Sequence, residues 1–197
     1  LLRLGVVSFL NSRPLVADLD HAPGVTLDYE VPSGLAQKLL AGDVDVALLP
    51  TIEILRNCED LEIVSDACIG CDGPTMTVRV YSHKPPHEIR TLGGDTHSRT
   101  SWALSSVLWR ELYGQTLQIQ PLKAERTRGS GVPLTRGAPA TVAEAGAADA
   151  VLLIGDKVVD PHRDDFAYEI DLGGAWRTHT GLPFVFAAWA RRKGDPV

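Results

Sequence analysis

The sequence predicts an α/β fold built from two similar β-α-β lobes. Two observations carry this. Strand-like and helix-like stretches alternate along the chain, which argues for layered α/β structure with largely parallel sheets. And "AGDVDVALLP" (Ala41–Pro50) and "AGAADAVLLI" (Ala145–Ile154) share Ala, Gly, Asp, Leu and Leu in register, each leading from a helix into a buried-type strand. The first lobe is expected over residues 1–80, with 184–197 returning to it, and the second over 81–183. Two lobes of this kind are expected to bind a ligand in the cleft between them, near strand C-termini and helix N-termini.

The elements follow in order. Leu2–Val7 and Val25–Val31 read as strands. Pro32 and Ser33 open a helix through Ala41, with Leu35, Leu39 and Leu40 on one face and Gly42 past its end. Val44–Leu49 is a buried-type strand and Thr51–Asn57 a short helix. Leu61–Ile69 and Thr75–Ser82 are strands flanking the "GCDGP" turn. Thr91–Gly93 ends a short strand. Thr100–Tyr113 is a helix, with Leu104, Val107, Leu108 and Leu112 at helical spacing. Leu117–Gln120 is a strand. Residues 121–140 hold three Pro, three Gly and three Arg and read as a loop, followed by a short helix over Thr141–Ala147. Ala150–Ile154 and Phe166–Leu172 are strands, Gly174–Thr180 a helical turn, and Phe184–Arg191 a last apolar strand.

Composition narrows the function. The chain has 197 residues, 44% hydrophobic and 22% charged, an ordinary globular balance. No apolar run approaches the ~20 residues that span a bilayer, so no membrane role is expected. The first residues read as a strand and turn rather than a signal peptide. A formal net charge of −6 without a basic block excludes nucleic acid as an expected partner. Any anionic ligand must then be held by local donors. Cys58, Cys68 and Cys71 make an odd count, which suits reduced thiols in a cytoplasm. Cys68 and Cys71 form a C-x-x-C, but a turn and a strand follow it. A redox pair would open a helix. No metal, nucleotide or flavin motif is found, and no cofactor is expected.

Four polar stretches fall at strand ends and read as the lining for a small polar molecule. They are "SFLNSRP" (Ser8–Pro14), "DGPTMT" (Asp72–Thr77), "GGDTHSRTS" (Gly93–Ser101) and "THTGLPFVF" (Thr178–Phe186). In the third, Ser98, Thr100 and Ser101 join the free N–H groups of a helix start to form an anion cradle. The bland alternative is an N-cap from Thr96 or Ser98. Arg99 opposes the helix dipole there, at a cost of roughly a few tenths of a kcal/mol, unless it meets an anion or Asp95. Asn11 is either a turn residue after the first strand, where a helix could start at Pro14, or a ligand contact. His97 is either a base or a cap. Asp156 ends a strand and holds Arg99, a turn or substrate.

"RLGVVSFLNSRPL", "VPSGLAQKLLAGDVDVALLP", "CIGCDGPTMTV", "DTHSRTS", "DAVLLIGD" and "TGLPFVFAAWAR" resemble, in this order, the chorismate dehydratase family of the futalosine route to menaquinone. The resemblance covers Leu2–Ser101 and Asp149–Arg191; Lys123–Ala148 matches poorly. It implies a two-lobed periplasmic-binding-protein-like type II fold with an interlobe cleft. It also implies a cytoplasmic, cofactor-independent hydro-lyase that converts the dicarboxylate chorismate to 3-[(1-carboxyvinyl)oxy]benzoate and water. Asn11 matches the family's polar residue in its turn, where it orients substrate or the departing hydroxyl as the catalytic residue. Thr77 stands where the family usually carries Ser. Substrate contacts are expected from Ser8, Ser12, Thr77, Thr96, His97, Ser98, Arg99, Thr100, Ser101, Gly181, Leu182 and Pro183. A related dihydroxynaphthoate-forming family opens on a cysteine–proline–asparagine motif that "SFLNSRP" lacks. Family members continue with further helices after the last strand, so C-terminal helices are expected to be missing here, leaving apolar surface exposed on the first lobe. The competing readings are a non-catalytic small-anion binding protein of the same fold and a truncated, inactive copy.

Overall fold

Strand β1 (Leu2–Val7) forms on an apolar stretch interrupted only by Arg3, and Leu4, Val6 and Val7 are buried. It pairs in parallel with β2 (Val25–Glu30), Leu2 opposite Val25 through Val7 opposite Glu30. The computed structural model describes residues 1–8, 10–94, 99–121, 148–158 and 166–195. The expected helix at Thr141–Ala147, and all but the first residue of the expected loop over 121–140, lie outside the described residues.

Helix α1 (Pro32–Ala41) has proline in its first turn, where a missing N–H costs nothing. Its last turn is closed by Gly42 N–H on the Leu39 carbonyl and Asp43 N–H on that of Lys38. Leu35, Ala36 and Leu39 are buried. Each leucine contributes roughly 1.5–3 kcal/mol by leaving water. Leu40, expected on the same face, is exposed. It lies about 140° around the helix from Leu35.

β3 (Val46–Pro50) returns beside β1, also in parallel. Then come α2 (Thr51–Arg56) and β4 (Leu61–Cys71). The second half repeats the scheme. β5 (Val78–Ser82) leads to β6 (Thr91–Gly94), α3 (Arg99–Tyr113), β7 (Gln118–Pro121), β8 (Ala150–Ile154), β9 (Tyr168–Asp171), α4 (Leu172–Thr180) and β10 (Phe184–Arg192). The buried face of α3 carries Ser101, Leu104, Ser105 and Leu108. Leu112 is exposed instead, and the Ser105 hydroxyl is satisfied by the Ser101 carbonyl one turn back.

The chain divides into two compact units, Leu1–Gly70 with Val185–Val197, and Cys71–Phe184. The sequence pattern alone places the breaks after residues 80 and 183. Residue 80 falls within β5, which belongs wholly to the second sheet. The strand orders are β2-β1-β3-β10-β4 and β7-β6-β8-β5-β9. In each sheet the first three strands are parallel and the fourth runs antiparallel to the third. β9 also runs antiparallel to β5. The sheets are therefore mixed rather than largely parallel. Single-strand periodicity does not encode the direction of a distant partner.

The sequence echo has a structural counterpart. Leu4 pairs with Val46 as Leu92 pairs with Ala150. The residue just before each of β3 and β8 is an aspartate. Asp45 N–H donates to the Arg3 carbonyl at 2.8 Å, and its carboxylate accepts from Arg3 N–H at 2.7 Å and from the Arg3 guanidinium at 2.6 Å. Asp149 N–H donates to the Thr91 carbonyl at 3.1 Å, and its carboxylate accepts from Arg90 and Thr91 N–H at 2.9 and 3.0 Å and from Lys84. Hydrogen bonds from Arg3 hold the Asp45 carboxyl below the usual range. Burial pushes the Asp149 carboxyl up, but the bonds from Lys84, Arg90 and Thr91 outweigh it and hold it far below that range.

Replacing Asp149 with Ala strips three N–H donors of one charged acceptor. Stability is expected to fall by about 2–3 kcal/mol in urea titrations. A depressed carboxyl stabilises the fold above the unfolded value near ~4, and that contribution is lost as pH falls through the folded value. The acid-side decline in unfolding midpoint is therefore expected to be shallower in Asp149→Ala than in the wild type.

Candidate functional site

Each parallel triplet has one position where successive connections leave in opposite directions along the sheet. In the first unit it lies at the C-terminal ends of β1 and β3, and in the second at those of β6 and β8. Ligands of open α/β sheets bind at such points.

In the first unit, Ser8 is exposed just beyond β1, and its N–H donates to the Glu30 carbonyl at 3.2 Å. A 3-10 turn then runs over Leu10–Leu15, with Pro14 inside it rather than opening a helix. Ser12 is 1% exposed, and its hydroxyl donates to the Val7 carbonyl at 2.7 Å. That bond caps the strand end and folds the turn back on it. Asn11, the neighbour of Ser12, stays exposed. At the end of β3 the Thr51 hydroxyl donates to the Val185 carbonyl at 2.7 Å, tying the start of α2 to β10. Glu53, in the first turn of α2, is buried and lies 3.6 Å from Arg56.

In the second unit, β6 ends at Gly94. Thr96, His97 and Ser98 lie outside the described residues, as does the Asp156 side chain. Helix α3 opens with Arg99 exposed and Thr100 and Ser101 buried. Trp102 packs closely against the strand end: a Cβ on Gly94 would overlap the indole Nε1. Glycine at this position lets the helix start approach the strand end.

The Asp72–Thr77 turn and the "TGLPF" segment belong to the two ends of one helix, α4. At its N-terminus the Asp171 carboxylate accepts from Gly174 N–H at 3.0 Å, and from Thr75 and Met76 N–H at 2.9 and 2.8 Å. Burial pushes this carboxyl up, but these bonds outweigh it and hold it below the usual range. Thr77 is exposed on the turn. At the C-terminus, Gly181 N–H donates to the Arg177 carbonyl at 2.9 Å, Leu182 N–H to the Thr180 hydroxyl at 3.1 Å, and the Trp176 indole to the Pro183 carbonyl at 3.2 Å. Gly181, Leu182 and Pro183 are all exposed. Arg177 also pairs with Asp72 at 3.1 Å, so the turn before β5 is tied to α4 a second time. Cys71 is half-buried, and burial pushes its thiol up, away from the reactive thiolate.

A family model described as menaquinone biosynthesis matches residues 2–195. The chain belongs to this family. It is 29% identical over 211 residues to the chorismate dehydratase of Thermus thermophilus, covering 98% of this chain and 70% of that protein. Among solved structures, a protein from Archaeoglobus fulgidus superposes with a TM-score of 0.66 at 13% identity, covering 99% of this chain and 69% of that one. The periplasmic aliphatic sulphonate binding protein SsuA from Escherichia coli superposes at 0.56 with 14% identity, covering 96% and 64%. The fold is thus periplasmic-binding-protein-like. Among the described residues no helix of this menaquinone-biosynthesis protein is long and apolar enough to cross a membrane.

Sequence reading passed over Asp171, Gly94 and Thr51. Asp171 had a local signal, an aspartate just ahead of a helix. The roles of Gly94 and Thr51 depend on what packs against them, and no local pattern shows that. Gly94→Ala is expected to displace Trp102 and lower stability by about 1–3 kcal/mol, read by chemical denaturation and near-ultraviolet circular dichroism.

Proposed function

We propose that the protein is a chorismate dehydratase, a carbon–oxygen lyase that converts chorismate to 3-[(1-carboxyvinyl)oxy]benzoate and water. The observation that carries this reading is membership of the menaquinone-biosynthesis family over residues 2–195, together with the similarity to the Thermus enzyme along nearly the whole chain. In the reaction the ring C–H bond at the ether-bearing carbon breaks and its proton passes to a base. The C–O bond to the neighbouring hydroxyl breaks, and that oxygen leaves as water. The carbanion is conjugated through a ring double bond to the ring carboxylate, so negative charge builds there. The protein's task is to meet that charge with donors already in place.

Arg99 and the N–H groups at the start of α3 suit the ring carboxylate. Asn11 orients the substrate or the departing hydroxyl, its turn held by the bond from Ser12 to Val7. Ser8, Thr77, Thr96, Ser98, Thr100, Ser101 and Gly181–Pro183 complete the proposed substrate contacts. Ser12 belongs to the same proposed set, its buried hydroxyl serving through the turn it holds on Val7. The proton acceptor is either the substrate's own enolpyruvyl carboxylate or His97. Aromatisation supplies enough driving force for a weak base. No resident cofactor takes part in this scheme, and a cytoplasmic setting fits a metabolic enzyme of this kind.

The decisive experiment mixes purified protein with chorismate and follows the aromatic product by absorbance and mass spectrometry. Binding without product would favour an anion-binding protein of the same fold. Asn11→Leu is expected to lower kcat by about two orders of magnitude, as loss of a transition-state hydrogen bond does; unchanged turnover removes Asn11 from the mechanism. Arg99→Ala is expected to raise KM about tenfold, and a normal KM would assign the guanidinium a purely structural role.

A further inference from the structure

Asp171 does more than cap a helix. A cap needs only the Gly174 N–H. Both carboxylate oxygens are filled further from the turn ahead of β5: Oδ1 by Thr75 N–H, Oδ2 by Met76 N–H at 2.8 Å and by the Thr75 hydroxyl at 3.2 Å. The same hydroxyl accepts from Val78 N–H at 2.9 Å, so the clamp reaches the first residue of β5. A second constraint is steric. A Cβ on Gly173 would stand 2.6 Å from both the Gly73 carbonyl oxygen and the Cys71 sulfur, so the turn rests directly on the helix backbone.

The clamped turn holds Met76 at φ 62°. This left-handed conformation is unfavourable for a non-glycine residue. Turns that use no side chain at such a position favour Gly, Asn or Asp. Met76 is nevertheless 68% exposed, so it does not serve the core. It is the only methionine of the sequence and sits next to exposed Thr77.

We propose that Asp171 is a positioning residue for the substrate. It holds the Thr75–Thr77 turn on α4 and so sets the Thr77 hydroxyl and the Met76 side chain against one ligand. The hydroxyl meets a polar group, and the flexible, polarizable thioether covers the unsaturated ring. This rests on the reading of Thr77 as a substrate contact.

Two variants of the full chain test it. Asp171→Asn keeps one oxygen for Gly174 and Thr75 N–H, so the helix cap survives, but it turns an amide N–H toward the Met76 N–H. The thermal midpoint is expected to fall, with the chain still folded at assay temperature, and kcat/KM for chorismate is expected to fall at least tenfold. Met76→Gly removes the backbone strain and folds at least as well as the wild type. Its KM is expected to rise about fivefold, whereas a turn with only a structural role leaves KM unchanged. Labelling with methyl-13C methionine adds a readout that does not need turnover, the Met76→Gly variant identifying the Met76 signal.

Excess chorismate is expected to shift that signal saturably in the wild type, and Asp171→Asn to abolish the shift. KM and kcat within twofold of wild type in both variants overturn the positioning role. Product formation with an unmoved signal overturns it too and leaves the dehydratase reading standing. A saturable shift without product overturns the dehydratase reading alone; the positioning role then stands if Asp171→Asn loses the shift and falls if it keeps it. An unmoved signal without product overturns both.

Discussion

The parallel pairing of β1 with β3, and of β6 with β8, is the constraint on which the rest of the molecule depends. Each pairing is locked by an aspartate at the foot of the third strand, Asp45 or Asp149. The aspartate returns backbone hydrogen bonds to the opening of the first strand, or to the residues just before it. A slip of one residue would invert the faces of a strand buried on both sides. With the lower ends fixed, the upper ends of these strands are fixed as well, and beyond them stand Ser8, the Leu10–Leu15 turn and the start of α3. The aspartates thus sit at the opposite ends of these strands from Ser8, Asn11 and the start of α3, one end serving stability and the other the proposed chemistry.

The strand ends share a second feature. Polar side chains close to the backbone are used up in holding turns, and their neighbours are left exposed. Ser12 bonds the Val7 carbonyl, and Asn11 beside it stays exposed. Thr51 bonds the Val185 carbonyl. Asp171 holds three backbone N–H groups around Thr75–Met76 and α4, and Thr77 remains exposed. Turns fixed in this way lose little conformational entropy when a ligand arrives. For the proposed dehydration, which develops charge on a carboxylate, donors already in place are worth more than donors that must be gathered. This matters in a chain with a net charge of −6, whose overall field does not attract an anion.

Among the described residues, the sequence by itself determined the strands, the α-helices and the doubled plan. Helix α1 begins and ends where Pro32 and Gly42 said it would, because caps act within one turn of chain. Apolar runs marked β3 and β8, since a strand buried on both faces has to be apolar throughout, and largely apolar stretches marked β1 and β10. The shared Asp of the two echoing segments, Asp45 and Asp149, proved to hold equivalent places beneath β3 and β8. The polar strand ends were visible because sheets of this class carry their ligands there. Tertiary structure alone decided what depends on distant partners. β10 and β5 run against their neighbours, and no periodicity within either strand contains that direction. Leu40 and Leu112 fit a helical stripe yet are exposed, because the packing sheet, not the stripe, selects the face. The Ser12 hydroxyl donates to the Val7 carbonyl, a partner set by how the turn folds back on β1. Asp171 meets Thr75 across 96 residues of chain, a bond that only folding brings within reach.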